Sequence, residues 1–244
     1  MKKRIIGHRG ARDLWPENSL MGFRNTLALD LDGVEFDVHP TRDGDLAVIH
    51  DPTLDRTTDA HGPVAARTMA ELAAVRLHGA SEGVPSLDQV LDVLADSGTE
   101  LHIELKADAA QRPYPGLEAQ VAAHVRQRGV GARTVLTSFW LAVLQPLREA
   151  WPEGRLLASL NVASVEAQGG LDRMLDALAA LRVDLIAVHK DLLTREMATL
   201  QSRIGPDRLG VWVVNEPTEI ARWLAAPVGQ ITTDRPDLFP RGAG

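Results

Sequence analysis

The chain has 244 residues, of which 45% are hydrophobic and 24% are charged, enough for one large core and in keeping with a one-domain α/β barrel. Its net charge of −7 argues against a nucleic-acid surface, because binding a phosphate backbone needs a basic face. It contains no cysteine, which excludes disulfides, thiolate metal sites and cysteine nucleophiles. Any metal must therefore be held by carboxylate, imidazole or water, and these ligands favour magnesium, calcium or manganese.

The first ten residues, MKKRIIGHRG, bear on cellular location. They begin with a basic cluster, as a signal peptide does, but only Ile5 and Ile6 follow before Gly7, so the apolar region is missing. No stretch of the sequence approaches the roughly 20 apolar residues that cross a bilayer. We therefore expect a cytoplasmic protein without a transmembrane segment.

Short aliphatic runs alternate with longer amphipathic segments along nearly the whole chain. The predicted strands are Arg4–His8, Gly33–Val38, Leu101–Lys106, Arg133–Ser138, Arg155–Leu160, Val183–Val188, Leu209–Val214 and Gln230–Thr232. The predicted helices are Ser19–Leu29, Leu87–Leu94, Leu117–Arg128, Leu171–Leu181, Thr194–Ile204 and Pro217–Leu224. This alternation indicates βαβ units, and eight strands in a chain of this length favour a (β/α)8 TIM barrel over an open, doubly wound sheet. No glycine-rich phosphate fingerprint follows the first strand, which agrees with the barrel.

One interval interrupts this rhythm. After the second strand, residues 39–86 contain a turn at Asp43-Gly44, a short apolar run at Leu46–Ile49, and then a polar stretch with several glycines and prolines. We predict a single domain over residues 1–244 with an insertion at about 39–86. A long insertion at the C-terminal end of a barrel strand usually forms part of a binding surface.

Carboxylates recur at alternate positions in two of the predicted strands. Residues two apart in a strand share a face, so Glu35 and Asp37 point the same way, and Glu104 and Lys106 do so in the third strand. The apolar positions between them suit contact with the surrounding helices, which leaves the charged side chains facing the barrel axis. Lys106 alone would leave two acids uncompensated, and buried like charges are costly. The pattern therefore predicts a divalent metal bound inside the barrel.

Two histidines lie where predicted strands end. His8 closes the first strand beside Arg9, and His50 follows the apolar run of the insertion. Imidazoles near a metal and an arginine suit general acid–base chemistry on a phosphate, with one ring removing a proton and the other donating one. A guanidinium can contact two phosphate oxygens at once.

Taken together, these segments resemble the glycerophosphodiester phosphodiesterase family. The matching segments, in chain order, are His8-Arg9-Gly10, Pro16-Glu17-Asn18-Ser19, Glu35-Phe36-Asp37-Val38, Thr41-Arg42-Asp43-Gly44, His50-Asp51-Pro52, Leu54-Asp55-Arg56-Thr57-Thr58, Pro85-Ser86-Leu87, His102-Ile103-Glu104-Leu105-Lys106, Trp212-Val213-Val214-Asn215 and Thr233-Asp234-Arg235-Pro236. The resemblance extends from residue 4 to about 238 with family-like spacing.

The resemblance implies metal-dependent hydrolysis of small-molecule glycerophosphodiesters to glycerol 3-phosphate and an alcohol. It implies metal ligands at Glu35, Asp37 and Glu104, an acid–base pair at His8 and His50, and substrate contacts from Arg9, Lys106 and Trp212. Glu17 and Asn18 are expected to support these residues, Asn18 either from behind the ligands or by capping the first helix. Which histidine is the base, and whether water or a substrate hydroxyl attacks phosphorus, stays open, as do metal identity and oligomeric state.

Three alternatives compete with this interpretation. A lysophospholipase-D-type or phosphoinositide-lipase-like enzyme would use the same chemistry on lipid diesters. It needs an apolar rim or an interfacial helix to admit an acyl chain, and the mostly polar stretch 52–68 offers little of either. A metal-dependent amidohydrolase typically needs a His-x-His pair in the first strand, where Ile6-Gly7-His8 supplies one histidine. A binding barrel without activity would be expected to have lost a histidine or a carboxylate.

Overall fold

A computed structural model describes residues 2–29 and 31–240 of the chain. Within these residues the backbone forms nine strands: β1 (Arg4–His8), β2 (Gly33–Pro40), β3 (Leu46–Val48), β4 (Glu100–Leu105), β5 (Thr134–Ser138), β6 (Arg155–Leu160), β7 (Leu185–His189), β8 (Leu209–Trp212) and β9 (Gln230–Thr233). Nine α-helices are described: α1 (Leu20–Thr26), α2 (Met69–Ala73), α3 (Leu87–Val93), α4 (Leu117–Gln127), α5 (Leu141–Ala150), α6 (Val162–Ala167), α7 (Leu171–Ala180), α8 (Lys190–Ile204) and α9 (Pro217–Ala225).

The sheet closes on itself because β1 pairs in parallel with both β2 and β9. The remaining barrel strands pair with their neighbours in chain order, while β3 pairs antiparallel with the end of β2. The predicted (β/α)8 TIM barrel is thereby confirmed. In the described part of the chain only a 3-10 turn, Pro236–Leu238, follows β9. Pairing of β1 with β9 therefore closes the barrel, and no α-helix follows β9 in the described residues.

The sequence pattern does not predict three of the described helices, α2, α5 and α6. Pro146 lies inside α5, where the missing backbone N–H obscures the helical signal, and buried Val143, Leu144 and Leu147 hold this helix against the barrel. Helices α2 and α6 have five and six residues, too few for a clear period.

The strand parity inferred from the sequence positions the charged residues. Val34, Phe36 and Val38 of β2 are buried against the helices, and Phe36 meets Phe23 of α1 edge to face with ring centroids 5.5 Å apart. Truncating a buried phenylalanine to alanine typically costs about 3–5 kcal/mol, so this contact fixes the strand firmly. Glu35 and Asp37 occupy the alternate positions and face the barrel interior.

The segment between β2 and α3 forms a small unit with its own apolar cluster. The cluster consists of buried side chains: Ala47, Ile49, Leu54, Val64, Leu72, Leu77 and Val84. The unit is joined to the barrel through the backbone, because Ile49 N donates to Asp37 O at 3.1 Å. This bond places the next residue, His50, beside the mouth of the barrel.

Candidate active site

Three carboxylates converge at the C-terminal ends of β2 and β4. Asp37 is paired in register with Glu104, and Glu35 lies two residues earlier on β2. One oxygen from each of these three side chains lies within 4.8 Å of the other two. Lys106 Nζ donates to Glu104 Oε1 at 2.7 Å and lies 3.3 Å from Asp37 Oδ1. The structure thus brings together the four charged residues that strand parity placed inside the barrel.

The electrostatics of this cluster favour an added cation. Burial, together with repulsion from Asp37 and Glu104, raises the pKa of Glu35 well above its ordinary value. Burial also acts to raise the pKa of Asp37, but Lys106 and the nearby His50 outweigh it and hold that pKa well below its ordinary value. Glu35 Oε1 is buried without a hydrogen-bond partner among the described residues. A hard divalent cation would give this oxygen a partner and balance the excess negative charge, so the donor set fits such an ion.

Arg9 lies in the turn after β1 and reaches the same cluster. Its φ of 51° is uncommon for a residue other than glycine, and contacts on several sides hold it there. The backbone N–H donates to Glu35 Oε2 at 3.3 Å, and Nη1 donates to Glu17 Oε1 at 3.2 Å. Nε lies 3.5 Å from Asp37 Oδ2. The guanidinium is therefore held beside the carboxylates of Glu17 and Asp37.

Asn18 supports the cluster from behind. Its Nδ2 donates to Asp37 Oδ2 at 2.9 Å, and the residue is almost fully buried. It does not cap the first helix. Ser19 does so instead, because its hydroxyl accepts from Gly22 N at 2.9 Å. Of the two roles expected for Asn18, the contacts fit support of a carboxylate.

His8 is oriented by a buried aspartate. Its Nδ1 lies 2.6 Å from Asp234 Oδ1, and its Nε2 lies 3.8 Å from Glu35 Oε2. Because a carboxylate can only accept, Nδ1 carries the proton and a neutral ring offers its Nε2 lone pair to the site. Asn215 holds Asp234 at both ends, donating to Oδ2 at 2.8 Å and accepting from Asp234 N at 2.9 Å. Burial acts to raise the pKa of Asp234, but the contacts with His8, Asn215 and Arg12 together outweigh it and lower that pKa to about 2.

His50 has an aspartate partner of its own. Its Nδ1 lies 2.6 Å from Oδ1 of Asp51, the next residue in the chain. Burial acts to raise the pKa of Asp51, but bonds from Arg56 and His50 lower it to about 2. The backbone carbonyl of His50 accepts from Nε2 of the buried His39 at 3.1 Å. Both the ring and the main chain of His50 are thus fixed by hydrogen bonds.

Arg56 joins the two halves of the site. Its guanidinium donates to both carboxylate oxygens of Asp51, at 2.6 and 3.0 Å, and to both of Glu17, at 2.7 and 2.9 Å. Asp51 holds His50, and Glu17 holds Arg9. Arg56, which belongs to the insertion, is therefore linked through Asp51 to His50 and through Glu17 to Arg9. His50 and Arg9 flank the carboxylate cluster on its two sides.

A cavity of about 230 Å³, lined mainly by polar residues, opens between these groups and extends into the barrel. We call it the catalytic cavity, and its upper wall includes His8, Arg9, Glu35, His50, Glu104 and Trp212. Trp212 ends β8, and its Nε1 donates to Ala187 O at 3.1 Å. Its ring meets Phe139 and His189 edge to face, with centroids 5.4 and 5.1 Å away. These contacts fix the indole as one wall of the cavity.

A second cavity of about 490 Å³ adjoins the first. We call it the side groove, and its characteristic residues are Pro52, Lys106, Phe139, Trp140, Ala163 and Ala167. It shares His50, Glu104, Phe139 and Asn161 with the catalytic cavity. From the sequence, the mostly polar residues 52–68 were expected to offer little of an apolar rim. In the structure the apolar wall comes chiefly from the loop after β5 and from α6 instead, because these segments follow β5 and β6, the two strands that come after β4 in the barrel.

A family model described as the glycerophosphoryl diester phosphodiesterase family matches residues 8–238. The chain belongs to this family. Membership confirms the enzyme class predicted from the sequence motifs. The match includes all ten residues proposed for the site, from His8 to Trp212.

Individual relatives align with this chain over nearly their whole length. A glycerophosphodiester phosphodiesterase from Caldanaerobacter subterraneus is 29% identical, with 98% of this chain and 97% of the relative aligned. The crystal structure of an Agrobacterium tumefaciens protein assigned to the same class is 32% identical, covers 98% of this chain and 96% of its own, and gives a TM-score of 0.89. A phosphodiesterase from Oleispira antarctica has the same fold at 20% identity, with 96% of this chain and 94% of that chain covered and a TM-score of 0.80.

Sequence reasoning missed several residues that contact the histidines. Asp234 and Asn215 lie in matched family segments but received no role, since the chain alone does not show that they meet His8. Asp51 directly follows His50, and that adjacency was an available signal. His39 is fully buried in β2 and carries no sign in the sequence that it bonds the His50 carbonyl.

Proposed function

We propose that the enzyme hydrolyses glycerophosphodiesters to glycerol 3-phosphate and an alcohol, with a divalent metal and two histidines. One observation carries the proposal. Two histidines, each bonded to its own aspartate, border a cavity that also holds three converging carboxylates. Paired imidazoles suit proton transfer to and from the oxygens of a phosphate diester.

Glu35, Asp37 and Glu104 would hold the metal, which is magnesium, calcium or manganese. When bound, the ion supplies charge neutralisation at the phosphate. Arg9 and Lys106 lie on two sides of the carboxylates and would bind the phosphate oxygens. Glu17 and Asn18 act through these groups, Glu17 by fixing Arg9 and Asn18 by fixing Asp37.

The contacts of the histidines support separate roles. His8 presents Nε2 to the catalytic cavity while Asp234 holds Nδ1, an arrangement suited to a general base that becomes an imidazolium. His50 lines both the catalytic cavity and the side groove, so it can donate a proton to an alkoxide leaving through the groove. The proton taken by His8 comes from the attacking hydroxyl, whether water or a neighbouring hydroxyl of the substrate.

Trp212 and the polar cavity wall would receive the glycerol end of the substrate. Thr137 and Ser159 line the cavity with hydroxyls 3.5 Å apart, and Gln230 Oε1 is buried without a partner among the described residues. Such groups can bind the hydroxyls of a polyol. The Oleispira antarctica enzyme was solved with the product sn-glycerol-3-phosphate, the product proposed here.

The proposal is tested with purified enzyme, glycerophosphoethanolamine and glycerophosphocholine, each with magnesium, calcium, manganese or EDTA. We expect glycerol 3-phosphate in at least one metal and none in EDTA. Survival of both substrates in every metal would refute the substrate class. ³¹P NMR of the same reaction identifies the attacking group, because attack by a substrate hydroxyl produces a cyclic phosphate first.

The cellular location is a separate proposal. No helix in residues 2–29 or 31–240 combines the length and the apolar character needed to cross a bilayer. We keep the cytoplasmic location as a prediction, which fractionation of the native cell would test.

A further inference from the structure

The walls of the side groove are largely apolar, and three of the polar residues that line it are bonded within the protein. Ser138 is buried, and its hydroxyl donates to Leu105 O at 3.1 Å. Asn161 Oδ1 accepts from Ser164 N at 2.7 Å, and Ser164 Oγ accepts in return from Asn161 N at 3.1 Å. These polar atoms are already bonded within the protein, so a ligand in the groove meets chiefly hydrocarbon and aromatic surface.

The charged residues of the groove lie at its inner end. His50, Glu104 and Lys106 are the charged or titratable groups among its described lining residues, and they are held by other groups. Lys106 donates to Glu104, and His50 is bonded to Asp51. Farther out, the described lining residues include no carboxylate that could meet an ammonium group.

Helix α6 forms one side of the groove. Ala163 and Ala167 are four residues apart, so they lie on one face of the helix, and both line the groove. Their methyl groups leave room, while Phe139 and Trp140 after β5 supply broad apolar surface. The space of about 490 Å³ is larger than a small head group needs.

We infer that the side groove receives the leaving alcohol and selects an alcohol that carries an uncharged aliphatic chain. The inference rests on the proposed function and names its preferred substrates. The polar catalytic cavity suits the glycerol end, which leaves the groove for the other ester. In the reaction the P–O bond to the groove alcohol breaks, water supplies the hydroxyl that ends on phosphorus, and His50 protonates the departing oxygen. The products are glycerol 3-phosphate and the aliphatic alcohol.

The test compares the hexyl ester of glycerol 3-phosphate with glycerophosphoethanolamine and glycerophosphocholine, at concentrations below micelle formation. Burying only about two methylenes of the chain should raise kcat/KM about tenfold. A fourth substrate, hexanoyl lysophosphatidylglycerol, has an acylglycerol as its leaving group. Its rate is compared with that of the hexyl ester, whose leaving group is a plain alcohol. Equal rates for all diesters, or a preference for choline through the aromatic walls, would overturn the inference while leaving the proposed function intact.

A charged variant gives a second readout. Ala163→Asp places a carboxylate in the groove at an exposed position in the first turn of α6, where an acidic residue is compatible with the helix. We expect kcat/KM for the hexyl ester to fall about tenfold and that for the ethanolamine ester to hold or rise. Ala221→Asp, an exposed position on α9 outside the groove, is the matched control and should change neither. Equal loss on both substrates in Ala163→Asp would contradict the inference, and failure of wild type on every diester would instead refute the proposed function.

Discussion

Asp234 holds the His8 ring from the side opposite the carboxylate cluster, with Oδ1 2.6 Å from Nδ1. Asp234 is fully buried at the end of β9, and His8 ends β1, so the two meet only because these strands pair to close the barrel. The strand pairing that closes the barrel therefore also orients the proposed base. Asn215, in the loop after β8, fixes the aspartate in turn.

Asp234→Asn should lower kcat about 100- to 1,000-fold with little change in KM. The amide can offer an N–H to Nδ1, which favours the wrong tautomer, and it cannot stabilise the imidazolium that forms during turnover. Steady-state kinetics on glycerophosphoethanolamine measures the effect. Asp237→Asn is the control, because Asp237 pairs with the partly exposed Arg235 outside the site. A variant at position 234 with wild-type kcat would remove the orienting role.

His8→Ala and His50→Ala should each lower kcat about 100- to 10,000-fold, because each removes one proton-transfer group. Circular dichroism and the thermal unfolding midpoint should show that both variants remain folded. His61→Ala serves as the comparison, since His61 is an exposed histidine paired with Asp55. Full turnover in either site variant would contradict the paired acid–base mechanism.

Arg56→Lys should raise KM and lower kcat together, with kcat/KM falling about tenfold. A lysine keeps the charge but cannot make bidentate bonds to both Asp51 and Glu17. Since Asp51 holds His50 and Glu17 holds Arg9, both proton transfer and phosphate binding should weaken. Arg42→Lys changes a surface pair with Glu71 and should leave the kinetics unaltered. A loss confined to stability would show that Arg56 has no part in positioning.

Glu35→Gln should make the metal-free protein more stable at neutral pH. The pKa of Glu35 is raised in the folded, metal-free protein, so its stabilising contribution is complete below the ordinary carboxyl pKa and is lost as the pH rises toward the raised value. Glutamine cannot ionise and avoids that loss. Thermal unfolding with and without metal tests this point.

The raised pKa of Glu35 also predicts how stabilisation by metal depends on pH. Metal should raise the unfolding midpoint of wild type at neutral pH, more weakly as the pH falls, because binding requires Glu35 to lose its proton. Glu35→Gln should gain much less from metal. Glu149→Gln, an exposed change on α5, should behave as wild type. Equal stabilisation of Glu35→Gln and wild type by metal would exclude Glu35 as a ligand.

The sequence allowed prediction of features that follow from local periodicity. A side-chain period of two in strands placed Glu35, Asp37 and Glu104 inside the barrel, and β2 and β4 pair so that Asp37 is opposite Glu104. The eight barrel strands were recognised because short aliphatic runs alternate with longer amphipathic segments along the chain. Helix α5 was missed because Pro146 interrupts its pattern, although tertiary packing of its apolar face still holds the helix.

Features that depend on distant segments could not be read from the chain. The contact between His8 and Asp234 joins residues 226 positions apart, and Arg56 reaches Glu17 across 39 positions. The side groove combines loops after β4, β5 and β6, so its apolar character belongs to no single stretch of sequence. The carboxylate cluster was predictable because its members repeat within strands, whereas the groups that orient the histidines meet only through the fold.

The most direct test of the two-histidine metal site is a crystal structure of the enzyme with manganese and glycerol 3-phosphate. We predict an anomalous manganese peak coordinated by Glu35, Asp37 and Glu104. The phosphate should contact Arg9 and Lys106 and lie between the His8 and His50 rings. A manganese peak away from the three carboxylates, or a phosphate bound away from both histidines, would contradict the mechanism.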